Sequence, residues 1–358
     1  MQKKIAIIGT VGLPSKYGGF ETLTEYLTKY LHKDLDITVY CSAKSYDEKP
    51  DSYNNAKLEY INLNANGVQS IPYDIISIFK ALNLADTLLI LGVSGCVILP
   101  FVKLFSRKKI VVNIDGLEWK RAKWNKQAKW FLKFSEKMAV KYADKVVTDN
   151  KVIQEYVESE YGKESELIAY GADHVEQLPL SDDILKEYPF LEKKYAFTVC
   201  RIEPENNIHM ILEALSKNSA LPYVIIGNWS VSTYGEELKK NYAHYAHLHL
   251  LDPIYDQEKL NQIRSNAHVY IHGHSAGGTN PSLVEAMALG LAVVAYGVNY
   301  NKETTGNKAL YFLNAKELSE MLNSINEETL QKNAKEMKAL AQKQYVWSKI
   351  AKKYYDLM

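Results

Sequence analysis

The chain has 358 residues, of which 47% are hydrophobic and 24% charged, so it is long enough for two globular domains. The formal net charge of +1 argues against general nucleic-acid binding. Cys41, Cys96 and Cys200 are far apart and lack zinc-ligand spacing, which indicates a reducing compartment and no structural zinc. Because the first apolar run is too short for a signal peptide, we expect a cytoplasmic protein.

In the first half, short β-branched runs alternate with longer helical patterns, which is typical of parallel βαβ units. The predicted strands are Lys4–Gly9, Asp36–Cys41, Thr87–Gly92, Lys109–Ile114, Lys145–Asp149 and Ser165–Gly171. The most apolar window, Leu84–Val102, contains an aspartate, two glycines and a proline. It therefore predicts a buried strand and a short helix rather than a membrane span.

A glycine-rich turn follows the first predicted strand. Gly9 and Gly12 stand where the chain must turn tightly, and Gly18 and Gly19 precede a helix expected from about Glu21. Backbone amides and the positive end of a helix dipole attract anions, so the turn predicts a diphosphate site, with packing alone as the alternative. A dinucleotide site would need GxGxxG and an acidic residue after the second strand, and the chain has neither there.

A basic and aromatic segment, Leu117–Ala143, follows the fourth predicted strand. It contains seven lysines, one arginine and the aromatic residues Trp119, Trp124, Trp130, Phe131 and Phe134. Lysines mixed with tryptophan are typical of an element that binds anionic lipid, so this segment predicts a contact with the membrane surface. The alternative is that the aromatic residues pack in the core and the lysines are solvated.

The second half repeats the αβ pattern after a polar stretch, Val175–Lys194, which is predicted to be a linker. Its strands are Tyr195–Cys200, Tyr223–Gly227, Leu248–Asp252, His268–His272 and Ala292–Tyr296. The two halves predict an α/β protein with two Rossmann-like domains that face each other across a cleft, where ligands bind at the carboxyl ends of the strands. The aromatic stretch Tyr345–Met358 predicts a last helix that docks on the protein.

The stretch VCRIEPENN places Arg201 just beyond the end of a predicted strand, with a helix beginning near Ile208. A guanidinium at that position can bind phosphate oxygens through two parallel hydrogen bonds. A surface ion pair with Glu203 or Glu205 is the alternative.

The stretch HGHSAGGTNPSLVEAMALG predicts a second anion site. Asn280 is a good N-cap and Pro281 a good first helical residue, so a helix should run from there to about Leu289. Gly277, Gly278 and Thr279 then bring backbone amides to the cleft. Glu285, just over one turn into the helix, is placed to accept hydrogen bonds from the vicinal hydroxyls of a ribose.

His272 and His274 flank one glycine at the start of this stretch. The H-x-H spacing allows metal binding, but no cysteine or paired acid accompanies it. Hydrogen bonding to a sugar is favoured, and a structural role for one of the two histidines is the alternative.

Three motifs together resemble glycosyltransferase family 4, and within it the bacterial rhamnosyltransferases of capsule and cell-wall polysaccharide synthesis. They are G-x-x-G-x-P-x-x-Y-G-G-F-E from Gly9, R-x-E-P-E-N-N from Arg201 and G-G-T-N-P-S-L-x-E-A-M-A-x-G from Gly277. The resemblance covers essentially the whole chain. It implies a GT-B fold with an acceptor-binding domain at residues 1–175, a nucleotide-sugar-binding domain at 176–340 and a C-terminal helix, 341–358, that packs back on the first domain.

The resemblance also implies a nucleotide-diphosphate sugar donor, retention of anomeric configuration, and no required metal or cofactor. Arg201 would stabilise the leaving phosphate, and Asp115 or Glu118 would orient or deprotonate the acceptor, with a structural role for both acids as the alternative. The expected donor-binding residues are Gly12, Tyr17, Gly18, Gly19, Arg201, Asn206, His272, His274, Gly278, Thr279, Asn280, Pro281, Ser282, Leu283 and Glu285.

The chain departs from the wider family at two positions. Gly277 occupies the place of the first glutamate of the E-x7-E pair, and Asn206 the place of a lysine near the donor phosphates. Both fit the rhamnosyltransferase-like branch, so the favoured function is transfer of rhamnose from its dTDP carrier to a lipid-diphosphate-linked saccharide, by a protein at the inner face of the cell membrane. A catalytically silent sugar-nucleotide-binding subunit, and an NDP-sugar epimerase or nicotinamide oxidoreductase, are the alternatives.

Overall fold

The computed structural model describes residues 2–16, 18–114, 116–121, 124–217 and 221–358. The chain divides into two compact units. The first unit comprises residues 1–170 and 347–358, and the second unit comprises residues 171–346. Each unit has its own sheet of mainly parallel strands, and the chain returns to the first unit for its last helix.

The first unit contains an eight-stranded sheet in the order β3-β4-β2-β1-β5-β6-β7-β8. Its strands are β1 (Lys3–Ile8), β2 (Leu35–Ser42), β3 (Ser52–Tyr53), β4 (Ala56–Ile61), β5 (Thr87–Leu91), β6 (Lys109–Asn113), β7 (Lys145–Thr148) and β8 (Glu166–Leu167). All neighbouring pairs are parallel except β3 with β4. The central strand β5 is buried at every residue, as expected of a parallel strand with both faces covered.

Five helices of the first unit connect these strands. They are α1 (Gly19–Leu31), α2 (Ser70–Leu82), α3 (Leu99–Phe105), α4 (Lys126–Tyr142) and α5 (Lys151–Tyr161). In α1, Leu23, Leu27 and Leu31 recur every four residues and are buried in the core beneath the sheet. The strand and short helix predicted within Leu84–Val102 are confirmed as β5 and α3. None of the helices among the described residues is both long and apolar enough to cross a membrane.

The second unit contains a six-stranded parallel sheet in the order β11-β10-β9-β12-β13-β14. Its strands are β9 (Ala196–Val199), β10 (Tyr223–Ile226), β11 (Leu248–Leu251), β12 (Val269–His272), β13 (Ala292–Tyr296) and β14 (Leu310–Phe312). Its helices are α6 (Asp182–Glu187), α7 (Ile208–Ser216), α8 (Thr233–Tyr242), α9 (Gln257–Ser265), α10 (Pro281–Leu289), α11 (Asn299–Thr304), α12 (Ala315–Ser324) and α13 (Glu327–Gln344). The strand order reverses between β9 and β12, which makes their carboxyl ends the topological switch point of a Rossmann-like sheet.

The last helix, α14 (Trp347–Leu357), belongs to the first unit. The indole ring of Trp347 stacks on the ring of Tyr26 with centroids 4.6 Å apart. The Tyr354 hydroxyl accepts a hydrogen bond of 2.7 Å from Nδ2 of Asn113, at the end of β6. The last helix thus packs on the first unit through both of these contacts.

Three expectations about secondary structure were wrong. The predicted linker Val175–Lys194 contains α6, which Ser181 caps by accepting a hydrogen bond of 3.4 Å from the Ile184 amide. Strands β3, β4 and β14 were not predicted. β3 has only two residues and β14 three, whereas β4 alternates apolar and polar residues from Ala56 to Tyr60, a signal that was overlooked. The predicted strand Ser165–Gly171 is reduced to the two residues of β8 at the sheet edge.

Candidate functional site

The candidate site lies at the switch point of the second unit, in the two loops that follow β9 and β12. The loop after β9 carries Arg201 and Asn206, and the loop after β12 leads from Gly273 to the start of α10. The loops approach so closely that a Cβ added at Gly273 would lie 2.2 Å from the carbonyl oxygen of Asn206. Glycine is therefore required at position 273, and the two loops are held as one rigid surface.

Hydrogen bonds between the loops fix their relative position. Asn207 donates from Nδ2 to the carbonyl oxygen of Gly273 at 2.8 Å. The Ser275 amide and hydroxyl both donate to the Glu205 carbonyl oxygen, each at 2.8 Å. A binding surface that is already ordered loses little conformational entropy when it takes a ligand.

Asn206 and His274 are part of this bracing. Nδ1 of His274 hydrogen-bonds to Oδ1 of Asn206 at 2.7 Å, and Nδ2 of Asn206 donates to the Arg201 carbonyl oxygen at 2.6 Å. Asn301 of helix α11 also holds this loop, by donating to the His274 carbonyl oxygen at 2.8 Å. Asn206 therefore connects the two loops with both ends of its amide, and this role differs from the direct donor contact expected of it.

The start of α10 follows the sequence prediction. Helix α10 begins at Pro281 and ends at Leu289, and the Asn280 side chain accepts hydrogen bonds from the Ser282 amide at 3.0 Å and its hydroxyl at 2.8 Å. The predicted cap and both helix ends are confirmed. The Tyr270 hydroxyl donates to Oγ of Ser282 at 2.9 Å and so fastens the helix start to β12. Leu283 is fully buried in the core, as is typical of a residue that positions the helix.

Glu285 forms a buried ion pair. Its Oε2 accepts a hydrogen bond of 2.6 Å from Nη1 of Arg264, and its Oε1 accepts one of 3.1 Å from Nε2 of His174. Burial by itself raises the pKa of a carboxyl group, but the Arg264 guanidinium and the His174 bond outweigh it, so the pKa of Glu285 is below its usual value. Asn261 in turn accepts from Nε of Arg264 at 2.9 Å.

This arrangement leaves Glu285 with acceptor capacity. A carboxylate has about four lone-pair positions, of which Arg264 and His174 use two. Its side chain is 16% exposed, whereas that of Arg264 is only 5% exposed. Glu285 is thus a charged acceptor held in a fixed orientation.

His272 is a buried neutral imidazole at the end of β12. Only 3% of the residue is exposed, and burial lowers the pKa of its ring to about 3. The rings of Tyr270 and His274 lie 5.8 and 6.0 Å from it, and its Nε2 is buried without a hydrogen-bond partner. Among the described residues, no group of three or more His, Cys, Asp or Glu side chains could hold a metal ion.

Arg201 has its side chain 43% exposed at the edge of the loops. Among the described residues its guanidinium makes an ion pair only with Glu203, at 3.8 Å between Nη1 and Oε1. A loose, exposed ion pair of this kind contributes little to stability. The guanidinium therefore keeps donors that a phosphate can engage.

The backbone at Gly277 explains the missing first glutamate of the E-x7-E pair. Gly277 has a φ of +115°, which side-chain-bearing residues rarely adopt, and an added Cβ would lie 3.2 Å from Nε2 of His274. A glutamate at this position would strain the loop. The loop therefore presents backbone at the position where the resemblance led us to look for a carboxylate.

The glycine-rich turn of the first unit contains an anion of its own. Oε1 of Glu21, in the first turn of α1, accepts hydrogen bonds from the Val11 amide at 2.7 Å and the Thr10 hydroxyl at 3.1 Å. Gly18 lies against the same carboxylate, Gly12 lies against Cys41, and Gly19 is the first residue of α1. A carboxylate of the protein thus occupies the helix start where a diphosphate was expected. Tyr17 lies outside the described residues.

The two candidate acceptor residues have different outcomes. Asp115 lies outside the described residues. Glu118 accepts from Nε of Arg121 at 2.8 Å and from the Trp124 indole at 2.9 Å, so its carboxylate is held in local contacts.

Three residues of the site were not found from the sequence. Arg264 lies on the buried side of α9, where an arginine directly after Ile263 and one turn after Leu260 was a signal for a buried acid partner. His174 follows β8 and lies between the predicted strand Ser165–Gly171 and the predicted linker Val175–Lys194. Asn301 precedes no recognisable motif, and only its tertiary position assigns it to the site.

Two family models match the chain. Residues 2–173 match a domain of unknown function (DUF1972), and residues 181–344 match glycosyl transferases group 1. No curated protein sequence is similar enough to the chain to count as a match.

Several solved structures are similar to the chain over nearly its full length. Sucrose-phosphate synthase from Thermosynechococcus elongatus is 14% identical with a TM-score of 0.82, and the match covers 99% of this chain and 98% of that one. HepE from Anabaena in complex with UDP-glucose is 15% identical, with a TM-score of 0.76 and 99% of both chains covered. The catalytic domain of Starch Synthase IV from Arabidopsis thaliana bound to ADP and acarbose is 12% identical, with a TM-score of 0.73, and the match covers 99% of this chain and 98% of that one.

At these identities the similarity shows the fold, which is GT-B, and the family model over the second half adds the class of reaction. The chain is a glycosyltransferase of the GT-B type.

Proposed function

We propose that the chain is a retaining, metal-independent transferase of glycosyltransferase family 4 that uses a nucleotide-diphosphate sugar as its donor. The observation that carries this proposal is Glu285, a carboxylate just over one turn into α10 that Arg264 keeps charged, beside the switch point of the second unit. The two nucleotide-bound structures support it, since HepE was solved with UDP-glucose and Starch Synthase IV with ADP.

In this proposal the donor's ribose hydroxyls bind the two lone-pair positions that Glu285 retains. The diphosphate lies at the start of α10, near Gly278, Thr279 and Ser282, where the helix dipole favours negative charge. Arg201 reaches the same phosphates from the neighbouring loop, and His272, a neutral imidazole, hydrogen-bonds to the sugar.

The reaction breaks the bond between the anomeric carbon and the phosphate oxygen and forms one between that carbon and an acceptor oxygen. The acceptor hydroxyl enters on the face from which the diphosphate leaves, and its proton passes to the departing phosphate oxygen, so configuration is retained. The developing negative charge is the principal barrier. Preordered donors such as Arg201 stabilise it because they need no rearrangement during the reaction.

We propose dTDP-rhamnose as the donor and surface polysaccharide synthesis, such as that of a capsule, as the process. Rhamnose is a 6-deoxy sugar and lacks one hydroxyl that a carboxylate would grip. A glutamate at position 277 would strain the backbone, so the loop lacks this carboxylate, and such a site suits a donor with one hydroxyl fewer.

The acceptor is proposed to be a saccharide linked to a lipid diphosphate, bound by the N-terminal domain of residues 1–175, while residues 176–340 bind the donor. Asp115 is proposed to orient the acceptor hydroxyl, because Glu118 is held by Arg121 and Trp124. A lipid-linked acceptor places the protein peripherally at the inner face of the cell membrane.

The experiment that tests this function measures dTDP release from dTDP-rhamnose with and without a saccharide acceptor. We expect release by the wild type and its loss in Glu285→Gln, with Glu320→Gln, at an exposed glutamate of α12, as the matched control. Thermal melting with dTDP-rhamnose, UDP-glucose and NAD identifies the ligand, because a ligand of the folded state raises the melting temperature. Stabilisation by dTDP-rhamnose without release would instead assign a binding subunit, and stabilisation by NAD alone an oxidoreductase.

A further inference from the structure

Helix α3 of the first unit exposes an unusual amount of apolar surface. Phe101 is 64% exposed, Leu104 73% and Phe105 83%, whereas Leu99 and Val102 are buried beneath them. Positions i, i+3 and i+4 of a helix share one face, so the three exposed side chains form one apolar ridge. Soluble surfaces seldom expose several large apolar side chains together unless they bind something.

Helix α4 packs against α3 and extends this ridge. Trp130 is 71% exposed and stacks on Phe134, itself 39% exposed, with ring centroids 5.8 Å apart. Lys126, Lys137 and Lys141 are exposed on the same helix at positions that fall on the same side, by helical spacing, as the two aromatic rings. The outer faces of α3 and α4 therefore combine apolar side chains with lysines.

Two other tryptophans of the segment Leu117–Ala143 are engaged within the protein. The Trp119 indole donates to Oε2 of the buried Glu136 at 3.0 Å, and the Lys133 ammonium lies 4.8 Å from its ring centroid. The Trp124 indole donates to Glu118. The exposed apolar surface of this region thus includes α3, which lies outside the segment, and excludes both of these tryptophans.

Basic residues outnumber acidic ones around the ridge, although Asp144 pairs with Lys103 of α3 and Asp86 pairs with Lys108. From Lys103 to Lys141 the sequence has twelve Lys and Arg residues and three acidic ones. Of the acids that the structure describes there, Glu136 is buried beneath aromatic rings, and Glu118 is paired with Arg121. A positive rim around protruding aromatic and aliphatic side chains complements a layer of anionic headgroups over acyl chains.

We infer that the outer faces of α3 and α4 form a lipid-binding surface, in which Phe101, Leu104, Phe105 and Trp130 enter the acyl boundary of an anionic bilayer and the flanking lysines contact its headgroups. The surface specifies which residues make the membrane contact included in the proposed function, and its assignment does not depend on the chemistry of transfer. Since each lysine near an anionic surface contributes about 1 kcal/mol, removal of one should weaken binding about fivefold.

The test is co-sedimentation of the full chain with vesicles of phosphatidylcholine alone or mixed with phosphatidylglycerol. We expect binding only to the mixed vesicles, reduced at least tenfold in the double variant Leu104→Ser/Phe105→Ser and reduced in Lys137→Gln/Lys141→Gln. The matched controls lie in the second unit, where Val231 is 74% exposed and the Lys186 and Lys316 side chains are exposed. Val231→Ser and Lys186→Gln/Lys316→Gln should bind like the wild type.

A second readout uses quenching of tryptophan fluorescence by brominated lipids. We expect Trp130→Phe to remove most of the quenching, because Trp229 and Trp347 are buried and the Trp119 and Trp124 indoles are hydrogen-bonded within the protein. This variant does not rely on the folding of the α3 double variant, whose fold is checked by thermal melting.

Three results would overturn the inference. The first is equal binding of the wild type to both kinds of vesicle, and the second is undiminished binding by the α3 variant. The third is a dimer in solution that the α3 substitutions convert to a monomer, because the ridge would then be a protein interface. Release of dTDP with a soluble acceptor should be the same for the wild type and the α3 variant. If the wild type binds mixed vesicles but releases no dTDP, the proposed function fails and the surface assignment stands.

Discussion

Glu285 of α10 and Arg264 of α9 form an ion pair of 2.6 Å in which both side chains are largely buried. His174, three residues beyond the start of the second unit, binds the other carboxylate oxygen at 3.1 Å. A buried carboxylate stays charged only when cations or donors compensate the loss of water. The proposed ribose contact therefore depends on two residues that do not themselves have to touch the donor.

Removal of the cation from this pair should destabilise the second unit. We expect Arg264→Met to lower the free energy of unfolding by about 3–5 kcal/mol, because an unpaired charge would remain buried. Denaturant unfolding measures the change, and Lys316→Met, which breaks an exposed pair with Glu320, should leave stability unaltered. Equal effects of the two substitutions would show that the Glu285 pair is dispensable for folding.

Stability should also depend on pH through His272. In the folded protein burial lowers the pKa of the ring to about 3, whereas its ordinary value is 6.5. Between these values the unfolded chain binds the additional proton, so the free energy of unfolding should fall as the pH drops from 6.5 towards 3, by up to about 1.4 kcal/mol per pH unit.

Thermal melting across this pH range measures the effect of His272. The slope should diminish in His272→Gln and persist in His244→Gln, at an exposed histidine. Glu285, whose pKa is also lowered, contributes in the same direction, but only as the pH falls below about its ordinary value of 4.5. Identical slopes for the wild type and His272→Gln would mean that the imidazole is not buried.

Introducing a glutamate at position 277, the first position of the E-x7-E pattern, should not improve the protein. We expect Gly277→Glu to lower stability by about 1–3 kcal/mol because of the positive φ, and to bring no gain in dTDP release. Gly277→Ala has the same backbone strain but no carboxylate. The difference in stability and in dTDP release between the two variants therefore gives the effect of the carboxylate alone. A stable Gly277→Glu variant with faster release would refute this account of the loop.

Arg201 should affect turnover more than folding. Within the described part of the chain its exposed side chain makes one loose ion pair, so Arg201→Met should keep the wild-type melting temperature. If the guanidinium stabilises the leaving phosphate, kcat should fall about 10²–10³-fold, the range seen when one such donor is removed. Arg201→Lys should recover part of the loss, and Lys186→Met serves as the surface control. Unchanged kcat in Arg201→Met would exclude the catalytic role.

The start of α10 was predictable because its signals are local. Asn280 and Pro281 specify the cap and the first helical residue from the sequence itself, and the structure places the helix there. The Arg264 partner of Glu285 was not predictable, since α9 and α10 are joined through β12 and meet only in the folded unit. Periodicity identifies α9 as a helix but does not say which side chain crosses to its neighbour.

The glycine-rich turn of the first unit illustrates a second limit. Glycines before the start of a helix indicate space for an anion. They do not indicate whether that anion is a bound ligand or a carboxylate of the protein itself. Glu21 does so by accepting from Val11 and Thr10. The helix dipole favours an acidic residue in the first helical turn. Glu21 therefore supplies from within the protein the negative charge that the motif had suggested for a ligand.

The central claim is that Glu285 and the start of α10 bind a nucleotide-diphosphate sugar. A crystal structure of the full chain with dTDP-rhamnose tests it most directly. We predict both Glu285 oxygens within about 2.6–3.2 Å of ribose hydroxyls or their present partners, with the diphosphate at the start of α10 and in contact with Arg201. A donor bound elsewhere, or a ribose that does not touch Glu285, would contradict the account.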